Sequence, residues 1–228
     1  MPLNPPDFDQ WFAASAGEDP DGVRYALHQA TDWLWLPSGR VVTGEFIGGP
    51  DPDKDAFVQT VLPGRYAVNL LIEEYPVRSG PGAGTGATIG YVAAARLVIR
   101  EEPSATWEMA VLPGQDAGDL DDDGFFGYPV DGGTAYFTDA QTLRTLDDLE
   151  IPDSDGEDWM IVLSDDIGDS PESLAVLTDP RQNEAPVVAG FSTGGGDGDY
   201  PTWVGRNAQG DITCFATDFM LAGARPAR

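Results

Sequence analysis

Cysteine and histidine are nearly absent from this sequence: Cys214 and His28 stand alone among 228 residues. An internal disulfide, a Cys/His zinc cluster and a multi-histidine metal site are thereby excluded. A Ser-His-Asp or Cys-His catalytic set would have to run through His28. Cys214, inside Ile212-Thr213-Cys214-Phe215-Ala216, reads as a small and inert strand residue. Lysine is just as scarce. Lys54 and the arginines make 12 basic residues against 39 acidic ones, a formal charge of -27. A protein that neutralises phosphates needs the opposite sign, so direct nucleic-acid binding is not expected. A Walker loop is excluded because the chain contains no Gly-Lys-[Ser/Thr]. Long apolar runs are missing as well: the longest stretch without a charge, residues 79–95, begins with Gly, Pro, Ala and Thr. No membrane helix is expected from it. Residues 1–10 are rich in Pro and Asp and do not resemble a secretory signal, which sets the expectation of a cytoplasmic protein with no membrane partner.

What is present suffices for a buried core, with 41% hydrophobic and 10% aromatic residues. The apolar residues fall in short runs rich in Val, Ile, Thr and aromatics, separated by Gly, Pro and Asp. Strands are read at residues 33–36, 40–47, 57–62, 65–73, 89–100, 106–112, 134–137, 159–163, 174–178, 187–191, 200–206 and 212–219. Asp139 followed by Leu143, Leu146 and Leu149 predicts one short capped helix over 140–149. Residues 8–16 and 23–30 are candidate helices at the front, the second with Asp21 as its cap. The fold class is therefore mainly β (α+β), with antiparallel sheets forming a sandwich or open barrel. The expected organisation is a single domain over 33–228, with segment 1–32 packed on it.

Three motifs could carry chemistry. Asp119-Leu120-Asp121-Asp122-Asp123-Gly124 supplies acids at positions 1, 3 and 5 and a glycine at 6 of a calcium loop. Position 12 is Val130, with Asp131 one place late, so the closing ligand is missing, and a solvated acidic loop is the plainer reading. Asp119, Asp121 and Asp123 stand as the candidate calcium ligands. The glycine loop at 82–87 lacks a βαβ setting and reads as a hairpin. In the run from Gly190 to Trp203, the glycines around Asp197 permit a tight turn, with Asp199, Tyr200 and Trp203 beside it as contact groups.

Several segments together resemble a known family: Leu36-Pro37-Ser38-Gly39-Arg40-Val41, Leu62-Pro63-Gly64-Arg65-Tyr66, Ala94-Ala95-Arg96-Leu97, Trp107-Glu108-Met109-Ala110, Val130-Asp131-Gly132-Gly133-Thr134, and Gly196-Asp197-Gly198-Asp199-Tyr200-Pro201 with Thr217-Asp218-Phe219. In this order they are similar to the bacterial domain of unknown function 4241. Gly132 stands where that family has alanine, and Tyr136 where it has a cysteine, which argues against shared thiol chemistry. The resemblance implies one continuous domain and no established reaction. It directs attention to Asp131, Asp139, Asp197 and Asp218, with Arg65 and Arg96 as cations able to pair with them.

Two functions from different classes follow. The first is a non-enzymatic binding or interaction protein, an accessory of immunity or stress type, whose acidic surface meets a basic protein partner. The alternative is a divalent-cation-dependent hydrolase or ligand-binding domain using clustered Asp residues, with calcium or magnesium as the cation. A carbohydrate-binding sandwich using exposed Trp and Tyr is a third.

Overall fold

Apolar alternation and turn punctuation produce strands that pair antiparallel throughout. The computed structural model describes residues 2–13, 23–46, 49–149, 151, 158–170 and 173–221. A short helix α1 (Phe8–Ala13) is followed by β1 (Arg24–Leu36), β2 (Arg40–Gly44), β3 (Ala56–Thr60), β4 (Gly64–Pro76), β5 (Thr88–Val98) and β6 (Thr106–Met109). Next come β7 (Gly127–Val130), β8 (Thr134–Asp139), α2 (Ala140–Leu146) and α3 (Trp159–Asp169). The chain closes with β9 (Leu174–Asp179), β10 (Ala185–Ser192), β11 (Gly198–Arg206) and β12 (Ile212–Asp218).

The larger sheet runs β1-β4-β5-β12-β11-β6, with β7 also paired to β11, and the smaller runs β3-β2-β8-β10-β9. Among the described residues neither sheet closes on itself, so the architecture is the sandwich rather than the barrel. Period-two alternation assigns the faces. Val68, Leu70 and Ile72 of β4 meet Val41, Ala135, Phe137 and Phe191 between the sheets. Leu71 points the other way, to Phe8, Trp11 and Phe12 of α1. On the far side of the small sheet, Val42, Tyr136 and Val188 pack against Leu143 and Leu146 of α2 and Trp159, Leu163 and Ile167 of α3.

Two segments differ from their sequence reading. Residues 159–163, expected as a strand, open α3: Asp158 accepts from the Met160 amide at 2.9 Å as its N-cap. Trp159, Leu163 and Ile167 then recur every four residues on the face that meets the sheet. Gly190 of β10 makes room for this contact, since a Cβ there would lie 2.9 Å from Ile167 Cδ1 and 3.1 Å from Leu163 Cδ2. Residues 23–30, expected as a helix, instead supply the first half of β1, pairing from Arg24 opposite Glu74 to Gln29 opposite Asn69. The long edge of β4 offers a ladder of backbone partners that outweighs a weak helical pattern. Asp21, the expected cap, lies outside the described residues. The helix expected at 8–16 is present as Phe8–Ala13, with 14–16 outside the described residues, and that expected at 140–149 spans Ala140–Leu146. No described helix is long and apolar enough to cross a membrane.

Candidate functional site

The feature that could carry function begins with β11, which changes partner along its length. Its second half pairs with β6, from Trp203 opposite Met109 to Arg206 opposite Thr106. Its first half pairs with β7, from Gly198 opposite Val130 to Pro201 opposite Gly127. Where the partner changes, a cavity of about 270 Å³ opens between the two sheets, walled by β7 and β11 on one side and by β2 on the other.

Its chemistry differs from the layer around it. Thr43 follows Val41 in the inward row of β2 and stands opposite Phe137, a position where the neighbouring inward side chains are hydrocarbon. Thr43 is 5% exposed, and its Oγ1 has no hydrogen-bond partner. Tyr128, cross-strand from Tyr200, also buries an unpartnered hydroxyl. Burial pushes the Tyr128 phenol far above its ordinary value, and the neighbouring Thr43 and Thr217 hydroxyls oppose this only in part. Thr202 and Thr217 satisfy one another at 2.8 Å across β11 and β12. Phe57, Phe126 and Tyr136 contribute rings, the last pressed against Phe46. Glu45 and Asp55 contribute carboxylates, and among the described residues no Arg or Lys lines the cavity.

Glu45 also joins the cavity to the turn between β7 and β8, accepting hydrogen bonds from the Asp131 amide at 2.6 Å and from the Gly132 amide. That turn touches the one before β11 through the Thr193 amide, which donates to the Gly133 carbonyl at 2.9 Å. The segments 130–134 and 196–201, far apart in sequence, thus meet at one end of the cavity. Tyr200 closes the second turn by donating to the Gly196 carbonyl at 2.9 Å. Burial raises its phenol as well.

The remaining residues singled out from sequence are dispersed. Asp139 is fully buried and caps α2 through the Gln141 amide at 2.8 Å. It also accepts from the Ser38 amide at 3.0 Å and the Ser38 hydroxyl at 2.8 Å, which pins the turn between β1 and β2. Asp218 is buried at the end of β12 and accepts from the Met220 amide at 2.7 Å. The side chains of Asp131, Asp197 and Asp199 are exposed. Arg65 does not pair with these acids but lies 4.2 Å from the centre of the Trp33 ring. Arg96 sits likewise over Phe12 at 4.2 Å, its pKa lowered by burial, with Nε unpartnered. Beside it, burial pushes the Cys214 thiol up, which keeps it protonated and inert.

Among the described residues no three His, Cys, Asp or Glu side chains gather into a group able to hold a metal. The loop carrying Asp119, Asp121 and Asp123 is held by a side-chain cap and a backbone turn. Asp116 accepts from the Gly118 amide at 2.8 Å, and the Gly124 amide donates to the Asp121 carbonyl at 3.0 Å. Trp203 is 3% exposed and belongs to the layer under α1, and none of the six tryptophans is exposed, so the carbohydrate reading loses the tryptophan part of its contact surface. Sequence reasoning missed Thr43, Glu45 and Tyr128. Only Tyr128 lay near a signal, two residues before Val130 of the family-like segment.

Comparison with known proteins adds one match. A family model described as "Protein of unknown function (DUF4241)" matches residues 34–217. No curated protein and no solved structure matches the chain.

Proposed function

The chain belongs to the DUF4241 family, a label that assigns no reaction, and from the cleft itself we propose that it is a non-enzymatic binding protein. In this reading a cytoplasmic accessory meets a basic partner, and the cleft between the sheets receives one of that partner's groups. The supporting observation is the pair of buried, unpartnered hydroxyls of Thr43 and Tyr128 beside a 270 Å³ opening. Buried polar groups are nearly always satisfied, and an exception at a cavity marks a place where a ligand can complete the bond. The charge of -27 supports the same reading, since it raises the local concentration of cationic partners and speeds their encounter.

Blocking the cleft tests this. Thr43 stands in the inward row of β2 and lines the opening, so Thr43→Phe carries a ring into it from a position whose side chain already faces the cleft. Affinity capture with wild type and Thr43→Phe, each at low and high salt, should retain a partner on wild type at low salt only. Equal retention by the two chains, with circular dichroism showing both folded, would refute a role for the cleft.

A further inference from the structure

Resting on that binding reading, we propose that the cleft takes an alkyl cation: an ammonium or guanidinium group on an aliphatic stem. Three observations on the wall converge. Among the described residues the charged groups lining the cavity are the carboxylates of Glu45 and Asp55, with no Arg or Lys beside them, so a carboxylate or phosphate would meet no counter-ion there. Glu45 spends one oxygen, Oε1, on the Asp131 and Gly132 amides, and Asp55 Oδ2 accepts from the Asp51 amide at 2.7 Å. Each carboxylate keeps its second oxygen for a further donor.

The hydroxyl oxygens of Thr43 and Tyr128 are buried and unpartnered, Thr43 at 5% exposure. Both accept hydrogen bonds, and ammonium and guanidinium groups carry only donors. Phe57, Phe126 and Tyr136 line the same cavity and give an aliphatic stem apolar contact. This chain already seats Arg65 over Trp33 and Arg96 over Phe12, both at 4.2 Å. Size narrows the class further. At about 270 Å³ the cavity lies below the ~300–1,000 Å³ of drug-sized sites, which suits one long side chain or a small free amine rather than a nucleotide.

The test titrates the intact protein by calorimetry with n-butylamine and agmatine. The controls are 1-butanol as neutral isostere and butyrate as anion, and capped N-acetyl-lysine and N-acetyl-arginine amides represent a protein side chain. The amines or capped basic residues should bind at least roughly tenfold more tightly than 1-butanol, with butyrate not binding. Thr43→Val and Tyr128→Phe should each weaken the preferred cation roughly tenfold while keeping the chain folded. Tighter binding of the capped residues identifies a partner's side chain as the source, and tighter binding of the free amines identifies a small molecule.

Equal affinity for 1-butanol overturns the cation inference and leaves the cleft a binding site. Cation binding unchanged in both variants places the cation elsewhere and also overturns it. If no probe binds while Thr43→Phe still abolishes capture of a partner, the cation inference falls and the binding reading stands. If no probe binds and Thr43→Phe captures as wild type does, both fall.

Discussion

Thr43 carries the plainest contrast between stability and use. An unsatisfied buried hydroxyl costs a folded chain about 1–3 kcal/mol, and valine has the same shape without it. Thr43→Val should therefore raise unfolding stability in urea by about 1 kcal/mol while weakening ligand binding, the trade-off expected where a site is held ready. A less stable variant would mean that the hydroxyl is already satisfied. Asp139 predicts the reverse. Its carboxylate accepts three hydrogen bonds from Ser38 and Gln141, so Asp139→Ala should lose about 2 kcal/mol with no effect on the cleft beyond that loss.

Asp179 adds a pH signature. Burial pushes its carboxyl up, but the hydrogen bonds from Arg181 and Gln182 outweigh burial and hold it below the usual carboxylate value. A depressed folded pKa stabilises above the unfolded value and is lost as pH falls through the folded one. The margin of wild type over Asp179→Asn should be complete at neutral pH and shrink below about pH 4, as followed by urea unfolding across pH. At this scale the sequence showed the cap, because Asp before an apolar periodic run is a local pattern. It did not show Thr43, because a threonine in a strand looks the same whether or not its hydroxyl finds a partner.

At the scale of elements, the strands that alternate cleanly were legible, and those defined by their neighbours were not. β7 contains Gly127 and Pro129, both turn residues by composition, and becomes a strand only because β11 pairs with it. The cleft depends on that short strand, so it too was hidden. α3 was read as a strand because Trp159-Met160-Ile161-Val162-Leu163 is an apolar run whose period is ambiguous over five residues. Its packing gives a direct check. Gly190→Val should destabilise by about 2–3 kcal/mol by driving a branched side chain into Ile167 and Leu163. Gly190→Ala should cost less, since the nearest atom is the rotatable Ile167 Cδ1. Equal stability of all three chains in thermal unfolding would mean that α3 does not sit on the sheet.

For the whole molecule, 39 acids against 12 bases leave an excess that pairing cannot absorb. Ion pairs such as Arg144 with Asp53 and Arg206 with Glu108 are surface contacts. Self-repulsion shortened by salt to ~8 Å at physiological strength predicts that Tm rises from low to moderate NaCl, while encounter with a cationic partner slows over the same range. A flat Tm would mean that the acids are well dispersed. The family-like segments were legible in order along the chain. That 130–134 and 196–201 meet beside one cavity required the fold, because their proximity comes from β7 crossing to β11.

The measurement closest to the central claim is an amide-resolved NMR titration of the intact protein with agmatine. Saturable shifts concentrated at Thr43, Tyr128 and Tyr200 are the predicted result. Shifts spread over the acidic loop at 119–123, with those three amides unmoved, would contradict the account.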